Sequence, residues 1–420
     1  MIPALRETFN RKFTGRAYSE MLSLLARRCD GAIPFRVAET PIFVDKPLLE
    51  EMAQQGSAMS RYLMSDATYL AAAGSAIPAG YDVAGQNAHP HFLTADFALV
   101  RTESGDLAPK LVEIQAFPSV FAYQVELCRA YREAFSLADG LGTFLGGLEE
   151  GSYWELLRRT VLGRHCAENV VLTEVDPFHQ KTYPDFYVTA RRLGIPIVDI
   201  AAVEPVGDRL HYRDAGGRLV PIHRIYNRAI ADELIARKIK LGFDLTRPWE
   251  VEWAGHPNWY FLISKYSIPW LSGSGRFPLV PPAAFVDDFL AGPGEESLAG
   301  AGVSIPARGD SRTVYADLLL KPLFSFAGKG IEFEPSRARL ESIPQAERGA
   351  CIVQQRMRFE PTIESPFGLT QAEIRILYMW PDDGELTPAL SLVRLGRGKM
   401  MGVDHNKNQE WVGGSAGFYI

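Results

Sequence analysis

Cysteine is scarce in this chain: four residues among 420, Cys29, Cys128, Cys166 and Cys351, lie far apart. Neither a CxxC metal site nor a disulfide framework is indicated by that spacing, and reduced, buried thiols in a cytoplasmic protein are the expectation. Nothing beside any of the four marks the lowered pKa of a nucleophilic thiol. An excess of positive charge is also missing. The formal net charge is −6, and no Lys/Arg tract breaks the sequence, which argues against nucleic acid as the main partner. No apolar run is long enough to span a bilayer, and the opening MIPALRETFNRKF lacks the apolar centre of a signal peptide, so no membrane partner is expected. Internal repeats, low-complexity segments and a Ser/His/Asp or Cys/His catalytic set are absent from the reading as well.

What is there is a chain with 47% hydrophobic residues, long enough for two or three domains with substantial cores. Residues 1–150 read as helix-rich with an embedded hairpin, 151–245 as an α/β unit, and 246–420 as a further lobe. The α/β unit rests on VVLTEVD, a loop from Pro177 to Pro184, a helical stretch from Asp185 to Leu193, and GIPIVDI, a strand–helix–strand pattern of a parallel layer. GDRLHYRDAGGRLVPIHRIYNR then reads as a hairpin and a strand ending at Tyr226, Asn227 and Arg228. Arg228 has the fork geometry to clamp a carboxylate, or is a surface arginine at a strand end.

The hairpin in the first part is HFLTADFALVRTESGDLAPKLVEIQAFPS: a strand from Phe92 to Arg101, a turn of Ser, Gly and Asp, and a strand from Lys110 to Ile114. Glu113 and Gln115 are two residues apart and share a face; Asp96 stands on the neighbouring strand. Three oxygen-bearing side chains on adjacent strands suit Mg²⁺. A ribbon with one solvated polar face gives the same alternation.

Near the other end, LLLKPLFSFAGKGIEF sets Lys321 at the close of an apolar run, then a loop of small residues (Ser325, Ala327, Gly328, Gly330) with Lys329, then a second apolar run. Glycines let backbone N–H groups approach anionic oxygens, so the loop suits phosphates, or is a plain glycine-bearing hairpin. It is not a Walker A loop, because Leu323 stands where the first glycine is required and Gly330 where Ser or Thr is. Beyond it come ACIVQQRM, ending in Gln354 and Gln355; AEIRILYMW, with Glu373 and Arg375; and SLVRLGRGKMMGVDHNKNQEWVGG, with Arg394, Asn406, Asn408 and the pair Gly413–Gly414. His89 and His91 read as solvated or core histidines, SGSGRFP (272–278) as a linker, and GPGEESLAGAGVS (292–304) as a surface loop or frayed helix.

This ordered series resembles the ATP-grasp superfamily, most nearly prokaryotic glutathione synthetases. In that pattern a metal hairpin with Asp on one strand and Glu-x-Asn on the next follows the Gly-Gly element. Here the chain ends six residues past Gly414, and the hairpin stands at Asp96, Glu113 and Gln115 instead. The sequence therefore resembles a circularly permuted ATP-grasp protein of the glutathionylspermidine synthetase-like group, with Gln115 in place of the usual Asn. KPLLEEMAQQGSAMSRYLM, with apolar residues at helical spacing, takes the place of the helix that precedes the metal strand in the family.

The resemblance implies an α/β (α+β) fold of permuted ATP-grasp lobes with an added parallel α/β domain of pre-ATP-grasp kind. It implies ATP and Mg²⁺ as cofactors and a carboxylate–amine ligase acting through an acyl phosphate. Adenine would lie on the strand ending at Gln354 and Gln355, with Lys265 and Lys321 on the phosphates and residues 325–330 as a flap; Asn408, Gly413 and Gly414 complete the nucleotide set. Mg²⁺ would sit on Asp96, Glu113 and Gln115, and Arg375, Arg394 and Arg228 would serve the phosphoryl group and substrate. Small carboxylate and amine substrates are the expected partners, and a homodimer is compatible with the reading. A non-catalytic nucleotide-binding scaffold and a phosphotransferase of the same fold are the alternatives.

Overall fold

The computed structural model describes residues 1–306, 313–324, 329–399, 401, 406 and 408–420. Among them the strands form four sheets. The largest has β1 (Ile42–Val44), β2 (Phe92–Arg101), β3 (Leu107–Gln115), β15 (Pro361–Ser365), β16 (Gly368–Met379), β17 (Thr387–Gly396) and β18 (Gly413–Tyr419), in the order β1-β18-β17-β16-β2-β3 with β15 beside β16. The hairpin β2–β3 is thus inserted against strands from the far end of the chain: β2 pairs antiparallel with β16, Arg375 opposite Asp96.

Residues Phe92 to Leu99 of β2 are all buried, so the hairpin is no solvated ribbon. One face of the sheet, with Ala95, Phe97, Ile374, Ile376 and Tyr378, packs on Leu49, Met52, Met59 and Leu63 of the helix Lys46–Ser65, whose apolar spacing predicted it. Gly56 is required there, since a Cβ would come 2.0 Å from Tyr378 Oη. The opposite face is apolar at one end, where Leu377, Leu390, Leu392 and Ala416 meet the helix Phe121–Ala134. At the other end it is charged.

A second sheet is parallel, in the order β10 (Glu252–Ala254), β9 (Arg224–Asn227), β4 (Val170–Glu174), β5 (Ile197–Asp199). The helix Tyr183–Leu193 makes the crossover from β4 to β5, as the strand–helix–strand pattern predicted. The strands β6 (Glu204–Val206), β7 (Arg209–Arg213) and β8 (Leu219–Pro221) form a small antiparallel meander. The fourth sheet, β11 (Ala283–Phe285), β14 (Cys351–Gln355), β12 (Leu318–Pro322) and β13 (Glu332–Phe333), is antiparallel. Leu318, Leu320 and Val353 on one of its faces join a core with Val286, Phe289 and Leu340. Leu319, Lys321, Ile352 and Gln354 occupy the other.

Of the two readings of residues 292–304, surface loop or frayed helix, the helical one is met, but the helix is partly buried. Residues 292–304 contain a helix, Pro293–Gly300, that buries Gly294, Glu295 and Leu298. Glycine obscured the pattern: Gly294 is there because a Cβ would meet Phe289 N at 2.7 Å.

Candidate functional site

The charged end of the large sheet is built by register. Arg375, Asp96 and Glu113 stand opposite one another on β16, β2 and β3, and Glu373, Arg394 and Gly414 do so on β16, β17 and β18. Because side chains alternate along a strand, two-residue spacing keeps Glu373 and Arg375 on one face. Arg375 donates from Nε and Nη2 to the two oxygens of Asp96 at 2.5 and 2.6 Å, a bidentate pair. Arg394 Nη1 donates to Asp96 Oδ2 at 3.2 Å and also to Glu373 Oε1. Arg375 Nη1 lies 3.4 Å from Ser119 Oγ, and its Nη2 lies 3.9 Å from Glu113 Oε1.

Two lysines close the group. The backbone bond from Ala116 N to Ile263 O, 3.1 Å, holds the segment before the helix Ser267–Gly273 against the end of β3, and Lys265 Nζ then stands 3.7 Å from Glu113 Oε2. Lys321 comes from β12 of the fourth sheet. Burial pushes its ammonium down to about 8, with Lys265 adding to the effect, while Glu113 and Glu373 pull the other way. Three carboxylates thus meet four cations where two sheets face each other.

These environments separate the carboxylates. Burial raises Asp96, but Arg375 and Arg394 overcome it and hold the carboxyl below its usual range. Glu373 is raised by burial and by the neighbouring Asp96 and Glu113 despite Arg394. The Arg394 guanidinium, though buried, is held more firmly protonated by Glu373, Asp96 and Glu113. Among the described residues no three His, Cys, Asp or Glu side chains are grouped to hold a metal. Both oxygens of Asp96 are taken by arginines, whereas Glu113 is partly open; Gln115, half-buried, shares its strand face.

The nucleotide positions expected from sequence are distributed as follows. Gln354 is fully buried on the face that carries Lys321. Gln355 is half-buried, its N–H donating to Pro282 O at 2.8 Å. Lys329 and Gly330 are exposed; Gly330 has φ +77°, and a Cβ there would meet Pro322 Cγ at 2.8 Å, so the chain folds back closely over the end of β12. Ser325 and Gly328 lie outside the described residues. Asn408 is exposed in a turn, while Asn406 is buried and its Oδ1 accepts from Arg397 N at 3.4 Å. Gly413, at φ +121°, and Gly414 allow the backbone at Arg36 to pass close to β18: Gly414 N donates to Arg36 O at 2.9 Å, and a Cβ on Gly413 would sit 2.5 Å from that oxygen.

Arg228 is no surface residue. It lies buried past the end of β9, its Nη1 donating to Pro118 O at 2.5 Å and standing 3.6 Å from Asp185 Oδ2, with the guanidinium over the rings of Phe117 and Phe186. Its Nε, Asp185 Oδ2 and Thr173 Oγ1 are buried without hydrogen-bond partners. Asp185 Oδ1 accepts from Ala122 and Tyr123 N at the start of the helix Phe121–Ala134. Burial pushes Glu174, at the end of β4, up to about 8. This polar patch at the carboxyl ends of parallel strands, the place where such sheets take ligands, adjoins the charged group through Pro118 and Ser119.

Sequence reasoning missed Asp185 and Glu174, and it saw Glu373 only as half of a motif. Asp185 carries no local signal; Glu174 could have been flagged as an acid closing an otherwise apolar strand. His91 is buried between Asp382, 2.7 Å away, and Arg224, 3.0 Å away, and His89 stacks on Trp380, which agrees with the core reading. An open pocket of about 240 Å³ lined by Cys29, Asp30, Phe178 and Lys181, and a small one of about 10 Å³ beside Asn227, include none of the charged group. Converging charge, not cavity size, marks the site.

No family model matches the chain, and no curated protein matches it significantly. A solved structure does: a glutathione synthetase-like effector (GSS30) from Globodera pallida in its apo form, 11% identical, with a TM-score of 0.53 over 96% of this chain and 98% of that one. At that identity the likeness concerns the fold alone. This chain has a mixed α/β, glutathione synthetase-like fold.

Proposed function

We propose that the protein is an ATP-dependent carboxylate–amine ligase on a circularly permuted ATP-grasp fold. The observation that carries this reading is the insertion of β2–β3 beside β16, which brings Asp96 and Glu113 to Arg375 and Arg394 across more than two hundred residues of sequence, with Lys265 and Lys321 beside them. Lys321 and Lys265 offer cations for phosphate oxygens in a buried setting where such pairs are strong. Arg394 and Arg375 face the place where negative charge grows as a substrate carboxylate oxygen attacks the γ-phosphorus and ADP leaves. The amine nitrogen then attacks the acyl carbon, phosphate departs, and the nitrogen gives up a proton. Chemistry of this kind rests on position and preorganised charge and asks for no protein nucleophile. Arg228, with its unpartnered Nε, suits the carboxylate end of the acid substrate.

The residues fit Mg²⁺ in part. Glu113 and Gln115 would hold it, since this ion needs only one or two protein oxygens beside phosphate and water. Asp96 in this arrangement orients Arg375 and is not a free ligand. When bound, the metal supplies charge neutralisation across the phosphates.

Supplying ATP, Mg²⁺ and panels of acids and amines tests the reading: a ligase releases ADP only when both an acid and an amine are present. Release with one acceptor alone identifies a phosphotransferase. The occupied Asp96, the Gln at 115 and the description of the structural neighbour as an effector favour one further reading, a nucleotide-binding protein without turnover, which would bind MgATP and release no ADP under any pairing.

A further inference from the structure

Arg6 is a buried cation whose charge the fold leaves poorly matched. It lies on the helix Pro3–Lys12, which packs against β1 and β15, and is 7% exposed. Its Nη1 donates to Pro41 O at 2.9 Å, but Nε and Nη2 are buried with no hydrogen-bond partner. The guanidinium carbon stands 4.8 Å from the ring centre of Phe9 and 5.5 Å from that of Phe43. Burial among these rings pushes the pKa down to about 10, against the pull of Tyr131 and of Glu364, an exposed carboxylate on β15. Burying a charge is costly unless it is paired and hydrogen-bonded.

The open edge has a definite shape. Nε and Nη2 are the same two nitrogens by which Arg375 holds both oxygens of Asp96, and their parallel N–H groups match the two oxygens of a carboxylate. The polar gap extends along the seam between the helix and β15. Asn10, one turn further along the helix, donates from Nδ2 to Glu364 O at 3.1 Å, while its Oδ1 and the Thr362 hydroxyl of β15 are buried without partners. A hydroxyl can add a donor to an anion.

We propose that Arg6 is the anchor of a site for a small aliphatic carboxylate, with Nε and Nη2 each donating to one of its oxygens and the apolar end of the ligand against Phe9 and Phe43. Bound there, the anion fastens the first helix to the large sheet, since it binds only where that helix is docked. The site is separate from the charged group and stands whether or not the protein binds nucleotide.

The test is the melting temperature of the full-length protein as acetate replaces chloride at constant ionic strength, for the wild type, Arg6→Lys and Arg6→Met, with saturation-transfer NMR of the acetate methyl as a direct measure of contact. The wild type should gain on the order of 2 °C, saturably, and show transfer to the methyl. Arg6→Lys keeps the charge without the fork and should bind acetate about tenfold more weakly or worse. Arg6→Met has no buried charge to match, so it should melt in chloride at the wild-type temperature or higher, with no saturable gain from acetate. Equal acetate responses in the wild type and Arg6→Lys, or no transfer to the methyl in the wild type, overturns the site and leaves its donors to water. Glu364→Gln separates an outside ligand from an inside one. Tighter acetate binding in that variant, from which a like charge has gone, supports the site; a lower melting temperature that acetate does not restore means that Glu364 itself fills the fork, and overturns it.

Discussion

Lys321 shows how one side chain links folding to function. Its ammonium is buried, and a free-protein pKa of about 8 means that near neutral pH it is charged with little in reserve. Phosphate binds the protonated form. Nucleotide affinity should therefore be nearly flat below pH 8 and fall above it, approaching about tenfold per pH unit. Lys321→Met should weaken binding by about ten- to a hundredfold, as befits a charge-assisted contact worth ~1.5–3 kcal/mol, and should remove the alkaline fall. Titrations at pH 7, 8 and 9 check both; an unchanged alkaline fall in the variant would assign it to another group. Lys321 was legible because it ends an apolar run before small residues. The depth of its burial was not, since it depends on how the fourth sheet meets the large one, which also brings Glu113, Lys265 and Glu373 into electrostatic reach.

At the scale of elements, the central device is the pairing of β2 with β16. Local alternation revealed the hairpin and the acid-x-Arg strand, yet nothing in either segment announces its partner, because register across 279 residues is decided by tertiary packing. The bidentate pair Asp96–Arg375 sits at this seam, 1% and 5% exposed. Removing one partner leaves an uncompensated buried charge, so Asp96→Asn should cost about 3–5 kcal/mol of stability in urea unfolding. The double variant Asp96→Leu/Arg375→Met should lose less than the sum of the single changes, since neither charge is then stranded. Additive losses of about 1 kcal/mol or less would mean the pair is screened by solvent. Arg228 was misplaced by the surface alternative for a related reason: it follows a strand of a parallel sheet, and only the docking of Pro118 and Phe186 buries it.

For the whole molecule, acid stability involves a buried neutral histidine that ties the segment after β10 to the segment preceding the hairpin. His256 Nε2 lies 3.2 Å from Ala84 O and its Nδ1 accepts from Asn258 N, while burial lowers its pKa to about 4. Between pH 6.5 and 4 the unfolded chain takes up a proton that the folded chain refuses, so stability is full above about 6.5 and falls with acid. This one group accounts for a loss of about 3 kcal/mol by pH 4. Unfolding midpoints at pH 7.5 and 5 should differ more in the wild type than in His256→Gln, and equal differences would place the acid sensitivity elsewhere.

The mixed α/β architecture and its parallel layer were readable from strand and helix periods, and Asp96, Glu113 and Lys321 from residue type and spacing, whereas Lys265, Arg375 and Arg394 were singled out by the resemblance to the ATP-grasp pattern. The ion pairing that occupies Asp96 was not readable, because it depends on which arginine the fold delivers to the carboxylate.

The most direct measurement of the central claim is calorimetric titration of ATP, with and without Mg²⁺, into the wild type, Lys321→Met and Glu113→Gln. The account predicts binding that Mg²⁺ strengthens, weakened by Lys321→Met with the Mg²⁺ effect retained, and deprived of that Mg²⁺ effect in Glu113→Gln. No binding by the wild type, or the same affinity and Mg²⁺ dependence in all three proteins, would contradict it.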